Sequence, residues 1–165
     1  MANIQSCFKR YEKKYCLTLA QQQAILQEMQ PYMKKDAYGQ YTICNLYYDT
    51  DDWRLIRTRP KVFIGYDRLA FAGIDDSELR ITFDTNIRWR TTDLDLRCGD
   101  YGVPLGGYGD VLMEIKIPGT APLWLAHLLS EAGVFSTSFS KYGSCYSRHI
   151  LGAAQAEHKE GFTCA

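Results

Sequence analysis

The sequence lacks several features that would assign it at once to a class of protein. No apolar run approaches the ~20 residues that a helix needs to cross a bilayer, so we expect no transmembrane segment. The first ten residues contain no apolar stretch typical of a secretory signal, and this favours a cytoplasmic protein. The 19 basic and 19 acidic side chains balance to zero charge, which argues against a nucleic-acid partner bound through overall charge.

The cysteines also lack a recognisable pattern. The six of them are scattered from Cys7 to Cys164, with no C-x-x-C pair and no histidine at ligand spacing. This argues against a zinc site. Without a secretory signal, we expect reduced thiols rather than disulfides.

Apolar and aromatic residues, in contrast, are plentiful. Of the 165 residues 46% are hydrophobic, with 12 Tyr, seven Phe and three Trp, so the chain can bury a core and is not disordered. Alternating apolar and polar residues predict several β-strands. The predicted strands cover residues 10–15, 41–49, 62–71, 79–84, 87–90 and 111–117.

Helices are predicted between some of these strands. Thr18 and Gln21 form a capping box for a helix near 18–32, in which the apolar spacing continues to Met33 and Pro31 marks the end. A second helix begins at Pro122 and ends near residue 132, before a glycine, and a third begins near residue 145. The sequence therefore predicts an α+β fold with helices packed outside a mainly antiparallel sheet.

The predicted strands carry charge on one face, whereas most exposed acids cluster in turns. An ordinary one-sided sheet with a solvated polar face explains such a pattern. The alternative is a concave basic face, on which arginines without partners would be costly and a polyanion such as a phosphate chain would compensate them. On that reading, the carboxylates of Glu12 and Glu114 suit a divalent cation that bridges phosphates.

Six blocks, in order, resemble one family. They are RYEKKY at 10–15, NLYYDT at 45–50, VFIGYDR at 62–68, LRITFD at 79–84, VLMEIK at 111–116 and SFSKYG at 138–143. Together they are similar to the VTC domain, the polyphosphate polymerase branch of the CYTH-like triphosphate tunnel metalloenzymes. The resemblance implies a single tunnel domain over residues 1–150, an antiparallel β-tunnel with helices outside, and leaves a C-terminal helical tail over 151–165.

The resemblance also implies an activity and a set of site residues. In the family, the γ-phosphate of ATP passes to inorganic polyphosphate with Mn²⁺ or Mg²⁺. Carried over by motif, the catalytic residues are Arg68, Arg80, Lys116 and Lys141. The further phosphate-binding residues are Lys14, Arg57, Tyr66 and Ser140, and the metal ligands are Glu114 and Glu12.

One departure from the family follows Arg57. Several strands that the family has at this point are replaced by Thr58-Arg59-Pro60, which predicts an incomplete tunnel with open sheet edges that favour self-association. Three hypotheses follow. They are an ATP-dependent polyphosphate polymerase impaired by the missing strands, a non-catalytic module that binds polyphosphate or triphosphate, and a non-functional remnant that folds poorly.

Overall fold

The computed structural model describes residues 10–49 and 59–150. It contains six strands and three α-helices. In chain order these are β1 (Tyr11–Leu17), α1 (Leu19–Glu28), β2 (Met33–Asp49), β3 (Arg59–Gly73), β4 (Arg80–Arg90), β5 (Val103–Pro104), β6 (Val111–Ile117), α2 (Leu123–Glu131) and α3 (Lys141–Cys145). A 3₁₀ turn at Leu96–Cys98 precedes β5, and a π-helical turn at Tyr146–Ile150 follows α3.

The six strands form one antiparallel sheet. Its order is β1-β6-β4-β3-β2, and the short β5 pairs with β4. Within residues 10–49 and 59–150, β1 and β2 do not pair with each other, so the sheet is open. The prediction of an α+β fold whose antiparallel sheet does not close is therefore confirmed.

The chain divides into two compact units. Among the described residues, the first unit comprises 10–41, 67–85 and 107–138, and the second comprises 42–49, 59–66, 86–106 and 139–150. The single domain over 1–150 stays a prediction. The predicted tail at 151–165 lies outside the described residues.

The core of the first unit lies between its helices and one face of its strands. Ile25 of α1 and Leu125 of α2 are almost fully buried and join the same core as Phe83 of β4 and Met113 of β6. Because side chains alternate along a strand, the residues between these apolar positions lie on the other face. The helices thus cover the apolar face of this unit and not its charged face.

The local signals of the sequence fix the start and end of these helices. The Thr18 side chain accepts a hydrogen bond from the Gln21 amide, and the Gln21 side chain bonds back to the Thr18 amide, as the capping box predicted. Gly133 follows the last turn of α2 with φ +62°, a conformation that glycine adopts without strain.

Three predicted boundaries are wrong. Helix α1 ends at Glu28, before the predicted end near Tyr32, since Pro31 cannot continue the helix, and Met33 begins β2 after the turn. Strand β4 continues through Asn86, where the sequence predicts a break, since asparagine tolerates the left-handed backbone (φ 49°) found there. Helix α3 begins at Lys141, earlier than expected, because Ser140 caps it.

The second unit is organised around two arginines of β4. Arg90 donates to the carbonyls of Asp93, Gly99 and Tyr101, and its guanidinium lies 3.6 Å from the centroid of the Phe63 ring. Arg88 donates to the backbone and side chain of Asp100. These bonds fix the loop that connects β4 to β5.

No helix within the described ranges is both long enough and apolar enough to cross a membrane.

Candidate phosphate-binding site

The charged face of the first unit brings together side chains from four strands. In β6, Glu114 and Lys116 alternate with the buried Met113 and Ile115. We call the group on this face the charged cluster. It consists of Glu12 and Lys14 of β1, Arg68 of β3, Arg80 and Asp84 of β4, and Glu114 and Lys116 of β6.

The strand register places these residues in cross-strand rows. Lys116 lies opposite Glu12 of β1 on one side and Arg80 of β4 on the other. One step along the sheet, Glu114 lies opposite Lys14 and Thr82. Directly opposed side chains lie close enough to interact, so the register alone assembles most of the cluster.

Arg68 makes the tightest ion pair of the cluster. Its Nε donates to Asp84 Oδ1 at 2.6 Å, and Nη2 donates to Oδ2 at 2.7 Å. The Asp84 side chain is completely buried, which a carboxylate tolerates only when it is paired. This two-bond geometry matches the fork of a guanidinium to the two oxygens of a carboxylate.

Glu114 is held between two cations. Its Oε2 lies 3.4 Å from Arg68 Nη2, and its Oε1 lies 3.9 Å from Lys14 Nζ. Glu12 has a comparable position, 3.3 Å from Lys14 Nζ and 3.8 Å from Lys116 Nζ. The two predicted metal ligands therefore approach the same ammonium group, that of Lys14.

Arg80 differs from the other arginine of the cluster. It is exposed, and among the described residues it makes no ion pair. It lines a cavity of about 140 Å³ together with Arg68, Thr82, Glu114 and Lys116. The hydroxyl of Thr82 is buried and has no hydrogen-bond partner among the described residues. This cavity thus offers an uncompensated guanidinium and an unused hydroxyl to a ligand.

The charges of the cluster nearly cancel. The four cations Lys14, Arg68, Arg80 and Lys116 accompany three carboxylates, those of Glu12, Asp84 and Glu114. Arg68 therefore needs no polyanion for compensation, since Asp84 compensates it. Arg80 needs none either, because it is exposed to solvent, but its guanidinium is available to bind one.

The second unit contains three other predicted site residues. Lys141 is buried, with its Nζ 4.4 Å from the centroid of the Tyr66 ring. This distance is typical of a cation–π contact. The Ser140 hydroxyl accepts a hydrogen bond from the Gly143 amide at 3.1 Å and caps α3. Their roles in phosphate binding stay predictions, and Arg57 lies outside the described residues.

Mn²⁺ and Mg²⁺ prefer oxygen ligands, and the charged cluster offers carboxylate oxygens. Within the described ranges no three His, Cys, Asp or Glu residues are grouped as a metal cage would require. Mg²⁺, however, is commonly bound by one or two carboxylates together with substrate phosphates and water. Glu114 and Glu12 fit that mode, because both are oxygen donors on the face that carries Arg80.

Sequence reasoning missed two residues of this site. Asp84 and Thr82 alternate with Ile81 and Phe83, so the same pattern that selected Arg80 placed them on the charged face. Burial could not be predicted, because alternation identifies a face of the strand but not which residues of that face are buried. A carboxylate two or four residues from a selected arginine on such a strand is the signal that could have found Asp84.

Two comparisons with known proteins bear on this site. No curated protein matches the chain. The family model described as "VTC domain" matches residues 56–150, which cover more than half of the sequence and include Arg68, Arg80, Glu114, Lys116 and Lys141. The matched segment contains the strands β3, β4 and β6 that carry most of the charged cluster. The chain therefore belongs to the VTC domain family, a family related to polyphosphate polymerases.

Proposed function

We propose that this protein is a polyphosphate polymerase-like domain, which uses the charged cluster to bind phosphate groups and transfers the γ-phosphate of ATP to a polyphosphate chain. The observation that carries the proposal is Arg80. Its guanidinium is exposed, makes no ion pair among the described residues and lines a cavity with Lys116 opposite. Arginine binds phosphate oxygens through paired hydrogen bonds, and lysine adds a point charge.

The proposed reaction needs little covalent chemistry from the protein. The bond between the γ-phosphorus and the β-bridging oxygen breaks, a bond to the terminal oxygen of the polyphosphate chain forms, and ADP leaves. Arg80 and Lys116 would neutralise the non-bridging oxygens of the transferred group, and Thr82 could donate to one of them. Glu114 and Glu12 would hold Mn²⁺ or Mg²⁺, which supplies further charge neutralisation when bound.

The size of the cavity favours a second candidate function. At about 140 Å³ it is smaller than the roughly 300–1,000 Å³ of most small-molecule pockets. A cavity of this size suits one phosphate group better than a whole nucleotide. A module that binds polyphosphate or triphosphate without turnover is therefore the alternative.

One experiment separates the two functions. Purified protein is incubated with ATP and Mn²⁺, the products are resolved on a gel that detects polyphosphate, and tripolyphosphate binding is measured by calorimetry. A polymerase produces chains that a variant with Arg80→Ala does not produce. Binding without product supports the non-catalytic module. Failure to bind tripolyphosphate at low salt would contradict both, since charge attraction is strongest there.

A further inference from the structure

Asp84 has no role in the function proposed above, although it is the most buried charged residue of the cluster. Its side chain is 0% exposed, whereas those of Glu114 and Arg68 are 10% and 15% exposed. Of the three, Arg68 and Glu114 line the cavity and Asp84 does not.

Arg68 connects the carboxylates of Asp84 and Glu114. Its Nη2 donates to Asp84 Oδ2 at 2.7 Å and lies 3.4 Å from Glu114 Oε2. With Nε also bound to Asp84, the plane of the guanidinium is fixed by two short bonds. A planar group that is fixed in this way can orient a second carboxylate, which a lysine with its single flexible ammonium cannot do.

We propose that Asp84 is a positioning residue of the phosphate site. It fixes the guanidinium of Arg68, and Arg68 in turn holds the carboxylate of Glu114 in the orientation in which Glu114 binds a divalent cation with phosphate. This inference rests on the proposed phosphate binding. It gives Arg68 a positioning role in addition to the contact with phosphate that its place in the cavity lining allows.

The competing explanation is that Asp84 acts only through its negative charge. The chain offers a control in Asp75, which is exposed, does not line the cavity and makes no ion pair among the described residues. Asp84→Asn and Asp75→Asn remove the same unit of charge. Asp84→Asn alone removes a carboxylate bound to Arg68.

The test measures the affinity for tripolyphosphate with Mn²⁺ and with a chelator, in wild type and both variants. The readout is the ratio of the two affinities, because a general loss of structure or charge changes both together. We expect Asp84→Asn to lower this ratio roughly tenfold, the lower end of the effect of removing a group that orients a metal ligand. Asp75→Asn should leave the ratio unchanged. Equal ratios in the two variants would overturn the proposal.

A spectroscopic measurement reports the ion pair independently of function. The Nε–H of Arg68 should give a protected ¹H–¹⁵N signal in wild type, absent from Arg68→Lys and lost or strongly shifted in Asp84→Asn. If Asp84→Asn does not fold, Arg68→Lys serves in its place, because it keeps the charge but cannot bridge both carboxylates, and the same fall in the ratio is expected.

The failures of the two proposals are distinguishable. If wild type does not bind tripolyphosphate under either condition, the proposed function fails, and with it the positioning role. If wild type binds with Mn²⁺ but Arg68→Lys and Asp84→Asn keep the wild-type ratio, phosphate binding stands and the role of Asp84 is refuted.

Discussion

Arg80 and Arg90 are the two end residues of β4, and their guanidinium groups meet opposite surroundings. Arg90, in the second unit, is 5% exposed, donates to three backbone carbonyls and lies against the rings of Phe63 and Tyr101. Arg80, in the first unit, is exposed and makes no ion pair among the described residues. The guanidinium of Arg90 is bound to groups of its own unit, whereas that of Arg80 is available to a ligand.

The comparison shows why an arginine-rich strand does not by itself indicate a binding site. A guanidinium has five donors, and a loop that returns over the strand can use several of them. Arg88 and Arg90 are bound by such a loop, through Asp93, Gly99, Asp100 and Tyr101. No corresponding carbonyl group is bound to Arg80 among the described residues, so its capacity for hydrogen bonds is left for solvent or phosphate.

The largest effect is expected from changing the structural arginine. Arg90→Lys keeps the charge but removes the fork that binds three carbonyls, and a single ammonium at this buried position cannot replace all three hydrogen bonds. We expect the free energy of unfolding to fall by about 3 kcal/mol, measured by urea denaturation. Arg80→Lys is the matched control and should change it by less than about 0.5 kcal/mol. Equal losses in the two variants would contradict the distinction between them.

Arg80 should instead affect binding. Arg80→Ala is expected to weaken tripolyphosphate binding by roughly 1.5–3 kcal/mol, the range for a hydrogen bond to a charged group. Calorimetry at two salt concentrations provides the measurement, and the loss should be larger at low salt, since the attraction is mainly electrostatic. Unchanged affinity in this variant would remove Arg80 from the site.

Glu114 provides a test of the proposed cation site. Glu114→Gln keeps the shape of the side chain and removes its charge, so the gain in tripolyphosphate affinity caused by Mn²⁺ should fall about tenfold. Binding in the presence of a chelator should persist or become tighter, because Arg68 and Lys14 lose a competing carboxylate. A Mn²⁺ effect of wild-type size in Glu114→Gln would show that another group holds the cation. Metal-dependent transfer of phosphate from ATP should also disappear in Glu114→Gln.

The smallest effect concerns an exposed pair in the loop of the second unit. Hydrogen bonds from the Arg97 side chain and amide lower the pKa of Asp95 from 3.8 to about 2. A carboxyl whose pKa is lowered by folding stabilises the protein at a pH above its pKa in the unfolded state. That contribution is lost as the pH falls through about 2. Titration of the Asp95 carboxyl by NMR checks the midpoint, which should return towards 3.8 in Arg97→Ala. The thermal midpoint near neutral pH should hardly change, because the pair is exposed.

Much of the fold could be predicted from local signals. The strands β4 and β6 could be predicted from the alternation of apolar and polar residues, because one face of each strand packs against helices. The capping box at Thr18 is equally local, since its hydrogen bonds join residues three apart. The length of β2 was not visible, because Met33 continues the apolar spacing of α1 but lies beyond its end.

The site could be predicted in part. Residues of the charged cluster were selected by face and by resemblance, and the structure brings Glu12, Lys14, Arg68, Arg80, Glu114 and Lys116 onto one face of the first unit. Their ionic partners could not be predicted. Arg68 and Asp84 are 16 residues apart, on different strands, and only the pairing of β3 with β4 determines that they meet.

The sequence by itself determined the class of fold, the faces of the strands and the VTC family, because each depends on residues close together in the chain or on motifs in a fixed order. The tertiary structure decided which arginine is available. That decision depends on which carbonyls and carboxylates approach each guanidinium from distant parts of the chain. A loop binds the guanidinium of Arg90, and Asp84 binds that of Arg68. The guanidinium of Arg80 lines the cavity and makes no ion pair among the described residues.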